Sequence, residues 1–305
     1  MLRYTAWRLF WMLPVLLGIG TITFVLMHAV PGRPWDGKKK LPTQVVANLD
    51  SRYNLDDPLL VQYGKFLGAA VRGDLCISYT NQDRAVTEVI RQGIPATSIL
   101  AGLAFLIAVA GGVPLGVVAA GRRNAAVDFF SVALAIAFAS VPGFVLGIIL
   151  VMVFSASWDL LPSWGWGSPS NVVLPALALS LLPMVFIARI TRSSVLEGLD
   201  QDYVRTARAK GMPPLVVQYR HVLRNALVPI ITIIGAEAGA LLTGSFIIET
   251  VFSVPGIGRL FVQGITQRDY GLITGMVLFY ATVMAVVNLI TDLLYASVDP
   301  RIRYS

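Results

Sequence analysis

Six long apolar runs constrain this chain more than any other feature. They lie at about Leu9–Val30, Thr97–Ala120, Phe129–Phe154, Val172–Ala188, Leu227–Ile248 and Leu272–Thr291. Most reach the roughly 20 residues that a helix needs to cross about 30 Å of hydrocarbon. With a mean hydropathy of +0.71, 56% apolar residues and 13% charged ones, an ordinary soluble domain is excluded. The expected fold is an all-α polytopic membrane protein with six transmembrane helices. The fourth run is the shortest and carries Pro175 and Pro183, which leaves its ends the least defined.

Orientation follows from Lys and Arg in short loops. Arg3 and Arg8 precede the first run, Arg122 and Arg123 follow the second, and Arg301 and Arg303 follow the last. The segment between the fourth and fifth runs adds Arg189, Arg192, Arg205, Arg208, Lys210, Arg220 and Arg224. The two short loops on the other side hold only Arg259 and Arg268. Both termini and the basic segment are therefore expected to be cytoplasmic. The same asymmetry accounts for the net charge of +7, so basicity here reflects membrane topology and not nucleic-acid binding. The first run, at about 22 residues, exceeds the 7–15 of a signal-peptide core and reads as a retained span. Cys76 is the only cysteine, so no intrachain disulfide forms.

The chain is expected to divide into a tail and first span (1–30), an extracytoplasmic insertion (31–96) and a transmembrane core (97–305). Within the insertion, Val45, Val46, Leu49 and Tyr53 suggest a short amphipathic helix. Asp56-Asp57-Pro58 reads as the start of a second, with Leu59, Leu60, Tyr63, Phe66, Leu67 and Val71 on its apolar face. Arg84 to Ile94 reads as a third, leading into Pro95 and the second span.

Between the fourth and fifth runs, at about 193–226, lies a polar, basic hairpin. Its first half has an apolar stripe at Val195, Leu196, Leu199, Tyr203 and Ala207. Gly211 suits the left-handed turn that ends a helix, and Pro213-Pro214 suit the first turn of the next. The second half repeats the stripe with Leu215, Val216, Tyr219, Val222 and Leu223, leaving Arg220, His221 and Arg224 off it. Two readings of such a hairpin stand: a docking element for a partner, or a helix pair lying on anionic headgroups.

Glu237 lies about ten residues into the fifth run, near mid-bilayer at about 1.5 Å per residue. An ionisable group there faces a cavity or a partner, so it belongs either to a translocation pathway or to a helix interface. Asn288 and Asp292 share a face of the sixth run, Asn288 as a pathway candidate and Asp292 as a structural one near the inner boundary. Glu249 is expected at the outer end of the fifth span, where a charge is inexpensive. Pro142 is expected to kink the third span. The pairs Gly112/Gly116, Gly143/Gly147, Gly235/Gly239 and Gly271/Gly275 fit close helix approach.

No phosphate-cradling G-x-x-x-x-G-K-[ST] and no H-E-x-x-H occur, and the histidines are only His28 and His221. Ser245 has no histidine placed to activate it. Catalysis by this chain is not expected, and neither is a metal site.

The hairpin resembles the cytoplasmic EAA loop of ATP-binding-cassette importer permeases. Aligned on Gly211, the Glu-Ala-Ala of the general motif falls on Arg205, Thr206 and Ala207, so Ala207 and Gly211 match it. The form found in dipeptide and oligopeptide permeases, DYVRTARAKG followed by RNAL-P, is matched by Asp202 to Gly211 and by Arg224 to Pro229. Pro31-Gly32, the run from Leu55 to Tyr63, Arg72 to Leu75, Glu249 to Gly258 and Asp299 to Tyr304 extend the resemblance nearly end to end.

The resemblance implies the first of two homologous permease subunits in the inner membrane of a prokaryote. Its implied partners are the second permease subunit, two ATP-binding subunits that hold the ATP and Mg, an extracytoplasmic substrate-binding protein, and membrane lipid. It implies no cofactor in this chain. Tyr203, Arg205, Thr206, Ala207, Arg208, Lys210 and Gly211 would couple to an ATP-binding subunit, and the insertion would face the binding protein. The implied solute is a dipeptide or oligopeptide; relatives with these motifs also carry glutathione, nickel complexes or oligosaccharides. A stand-alone secondary transporter is the alternative from another class, and it would need no docking hairpin.

Overall fold

A computed structural model describes residues 2–29, 44, 55–75, 77–78, 84–121, 133, 137, 140–244 and 246–298. The first amphipathic helix expected in the insertion, Cys76, Arg122-Arg123, Ser245, the C-terminal tail and most of the third apolar run lie outside these residues.

Among the described residues the chain is helical. In order come α1 (Leu2–Ala29), α2 (Leu59–Val71), α3 (Val86–Gly121) and α4 (Gly143–Leu150), which continues as a π-helical turn over Val151–Ser157. There follow α5 (Pro169–Leu199), α6 (Asp202–Ala209), α7 (Pro214–Leu242, with π-helical geometry over Val217–Val222), α8 (Phe246–Val251), α9 (Ile257–Thr266) and α10 (Tyr270–Val298). Five helices are long and apolar enough to cross a membrane: α1, α3, α5, α7 and α10. The described part of the third run forms the shorter α4.

Glycines set the packing of the long helices. A Cβ on Gly112 would come 2.7 Å from Met184 O, and one on Gly116 would come 2.5 Å from Ala188 O. Because Gly112 meets Ile187 and Gly116 meets Thr191, α3 and α5 run parallel at backbone contact. On the other side Gly235 abuts Thr291 and Gly239 abuts Met284, so α7 and α10 run antiparallel. Arg8 pairs with Asp292 at 2.9 Å, tying α1 to α10, and the Tyr295 hydroxyl donates to Thr232 at 2.8 Å, tying α10 to α7. Trp7, Phe10, Leu13 and Ile22 point outward from α1, as on a face that meets lipid.

Several expected boundaries move. α5 runs unbroken through Pro175 and Pro183 for 31 residues, so the fourth span is not short. α3 likewise passes through Pro95, and the third insertion helix is the start of that span. Proline removes one backbone donor, but neighbouring helices packed on both sides sustain the rest of the ladder. Pro142, by contrast, is extended (φ −55, ψ 137) and starts α4 anew instead of kinking a continuous helix.

α7 stops at Gly244 (φ +83), and the chain folds back through α8 and α9 before α10. Glu249 is therefore not at the cheap outer end of a span. It is fully buried, accepting from Thr97 Oγ1 on α3 at 2.8 Å and from the Arg259 N–H at 2.9 Å. Thr97 Oγ1 in turn accepts the Ile257 N–H at 2.9 Å, so a carboxylate and a hydroxyl together cap α9. A Cβ on Gly256 would come 2.5 Å from Glu249 Oε2, which explains a glycine there.

Within the insertion, the described helix α2 is fastened to α1. The Thr21 and Tyr63 hydroxyls meet at 2.7 Å, His28 Nε2 lies 3.1 Å from Gln62 Oε1, and Phe24 stacks on Phe66. Ser78 Oγ donates to buried Asp269, whose other oxygen accepts the Leu272 N–H at 3.0 Å and so caps α10.

Candidate functional site: the basic hairpin

The hairpin is built in three pieces, not two. α5 ends at Leu199, Asp200-Gln201 turn the chain, and α6 is a separate helix of 8 residues. Asp202 sits in its first turn and Arg208 in its last, each favourable to the helix dipole. α6 ends in a Schellman turn: the Met212 N–H donates to Ala207 O at 3.3 Å and the Gly211 N–H to Arg208 O at 2.9 Å. Gly211 has φ +78, as the spacing anticipated, and no atom lies within 4 Å of where its Cβ would be. Only the backbone conformation demands glycine there. Pro213 then caps the next helix and Pro214 occupies its first position.

The faces differ from the expected stripe. Val204 and Ala207 of α6 point inward, into a cluster with Val117 and Ala120 of α3, Val195 of α5, and Val217, Val222, Ala226 and Ile230 of α7. Ala207 is thus small because α6 lies close against its own chain. Tyr203, Arg205, Thr206, Arg208, Lys210 and Gly211 are exposed. On α7, Val217 and Val222 are fully buried, while Leu215 is 67% and Tyr219 51% exposed. The π-helical turn causes this. Its i→i+5 bonds place Val217 on one face with Val222, so the expected Val222 is buried together with Val217, which the three-to-four spacing had passed over for Val216.

Two glycines let the hairpin close on the ends of the spans. A Cβ on Gly198 would come 2.7 Å from Val222, and one on Gly121 would come 2.8 Å from Gln218 Oε1. Gln218, only 7% exposed, donates through Nε2 to Val117 O of α3 at 2.6 Å. Sequence reasoning passed over Gln218. The available signal was a single amide among Leu215, Val216, Val217, Val222 and Leu223.

The pathway candidates are not brought together. Glu237 is half-buried on α7 and Asn288 is exposed on α10, and among the described residues no hydrogen bond joins them. Among those residues, too, no three His, Cys, Asp or Glu side chains are placed to hold a metal.

The family model for "Binding-protein-dependent transport system inner membrane component" matches residues 112–304. The chain belongs to this family. A dipeptide transport system permease protein, DppB of Bacillus subtilis, is 42% identical over 303 residues, covering 99% of this chain and 98% of that protein. The oligopeptide permease protein OppB of Salmonella typhimurium is 39% identical, and OppB of Haemophilus influenzae 36%, each over the full length of both chains. Among solved structures, the inward-facing methionine ABC transporter MetNI contains a chain that superposes with a TM-score of 0.59 at 19% identity. That match spans 70% of this permease and 97% of the other chain, and it shows a shared fold.

Proposed function

We propose that this permease is the first of two homologous membrane subunits of an ATP-driven importer that translocates dipeptides or oligopeptides delivered by an extracytoplasmic binding protein. Two ATP-binding subunits hold the ATP and Mg, since this chain has no phosphate-cradling loop. The relatives' names support peptide as the solute. The observation that carries the coupling role is the hairpin itself: a rigid Schellman turn presents Tyr203, Arg205, Thr206, Arg208 and Lys210 outward, while Val204 and Ala207 anchor it inward. Arg205, Arg208 and Lys210 pair with acidic groups at the rim of the ATP-binding subunit's cleft.

Six crossings with both termini cytoplasmic fit this role, with residues 31–96 as the insertion facing the binding protein. The parallel course of α3 and α5 supports the sixth. A chain that ends one span and begins a parallel one has to return between them, and only the third apolar run is available to do so. Glu237, and with it Asn288, remain pathway residues in this reading.

The test is reconstitution of the whole complex in proteoliposomes with its binding protein. Uptake of labelled di- and tripeptides should depend on ATP. Gly211→Val, which forces a β-branched side chain into a left-handed turn at a cost of about 1 kcal/mol or more, should abolish ATPase docking or uncouple hydrolysis from uptake. Normal uptake per ATP in that variant refutes the role of the hairpin. Uptake of a nickel complex, glutathione or an oligosaccharide in place of peptides would reassign the solute. Purification without any ATPase would favour a secondary transporter.

A further inference from the structure

α3 has a polar fastening at each end. At the hairpin end, Val117 O accepts from Gln218; at the other, Thr97 Oγ1 donates to Glu249 and accepts the Ile257 N–H. The twenty-residue separation of Thr97 and Val117 corresponds to about 30 Å along a helix, the depth of a membrane. We propose that Gln218 is a positioning residue that locks the hairpin to α3, and that α3 carries hairpin movement across the membrane to α8 and α9. The proposal rests on the coupling role given above to the hairpin.

Three observations favour this route. First, the hairpin is covalently continuous with α5 and α7, but it meets α3 only through non-bonded contact. Val217 and Val222 against Val117 and Ala120 are apolar surfaces that can slide. A buried hydrogen bond of 2.6 Å is directional and fixes both the height and the rotation of one helix against the other. Second, the slot for the amide is made by Gly121, where a side chain would collide with it. Third, the amide is aimed by the π-helical turn. Its wider turn brings Val217 and Val222, five residues apart, nearly into line, with Gln218 beside them on the buried face.

At the far end the fastening is equally specific. Ile257 and Arg259 give their first-turn N–H groups to Thr97 and Glu249, so displacement of α3 displaces the start of α9. Ile257 also packs with Val86, Val89 and Ile90 of the same helix. A push on the hairpin thus has a continuous, hydrogen-bonded route to the opposite rim.

The experiment uses the complete complex in lipid nanodiscs, with Cys76→Ser and spin labels at Leu60 on α2 and Gln263 on α9, both exposed. The Leu60–Gln263 distance is measured with and without ATP plus vanadate, alongside hydrolysis stimulated by the binding protein. The unsubstituted complex should show a nucleotide-dependent shift. Gln218→Met keeps the volume but removes the donor; Gly121→Ala keeps the donor but fills its slot. Each should lose the shift and lower the stimulated part of hydrolysis by about three- to tenfold. If Gln218→Met fails to assemble, Gly121→Ala carries the test.

Thr97→Val should act on the same quantity, and its combination with Gln218→Met should be no worse than the stronger single variant, because both interrupt one route. A purely structural role would instead lower assembly additively and leave the shift in the complexes that form. Retention of the shift in Gln218→Met while Gly211→Val loses it overturns the inference and spares the hairpin's docking role. Retention in Gly211→Val, or no shift in the unsubstituted complex, overturns both.

Discussion

At Glu249 one buried carboxylate holds three elements together. It accepts from Thr97 of α3 and from the backbone of Arg259 at the start of α9, and it sits itself on α8. Glu249→Ala leaves a buried hydroxyl and a helix-terminal N–H without their acceptor, a loss of roughly 1–3 kcal/mol for each group stranded. The purified complex should therefore unfold at a lower temperature, with the α8–α9 segment becoming sensitive to protease first. An unchanged midpoint and digestion pattern would remove Glu249 from this role. Gly211 obeys a different rule. Space around it is open, so the penalty on Gly211→Val comes from its φ of +78 alone. The left-handed turn was legible from Gly211 followed by Pro213-Pro214. The burial of Glu249 was not, because its acidic side chain gives no hint that Thr97, far away in the chain, supplies a partner.

Among the elements, α7 departs most from its sequence pattern. Of the expected stripe Val222 is buried, but Leu215, Val216 and Tyr219 are exposed, and Val217 and Gln218, outside the stripe, are buried instead. The π-helical turn shifts the register for one turn and returns it to normal by Ala226 and Ile230, which are buried at ordinary α spacing. Higher in the same helix, Gly235 and Gly239 face α10, and Glu237, two residues from each, lies on another face. If Glu237 lines the pathway, Glu237→Gln should alter uptake rate or solute preference in proteoliposomes while the amount of assembled complex stays the same. A fall in assembly with unchanged uptake per complex would place it in a helix interface instead.

For the whole molecule, the pairing of spans sets the topology. α3 and α5 run parallel, α7 and α10 antiparallel, and α1 antiparallel to α10 through Gly20 against Leu278 and Arg8 against Asp292. With Cys76→Ser, cysteines introduced at Arg208 on the hairpin and at Leu60 on the insertion should label from opposite faces of oriented vesicles. Labelling of both from one face would overturn the six-span arrangement, whatever the apolar run lengths.

The sequence alone determined that this is a helical membrane protein, which end carries its positive charge, and where the basic hairpin and its Gly211 turn lie. Those properties follow from composition and from spacings of a few residues, which hydrophobicity and backbone sterics read locally. Only the tertiary structure decided which residues of the hairpin face inward, why Gly121 and Gly198 must lack side chains, and that Gln218 and Glu249 fasten opposite ends of α3. Each of these depends on a partner from another helix, from 24 residues away for Gly198 to 152 for Glu249, or on one extra residue in a helical turn, and neither leaves a periodic trace in the chain.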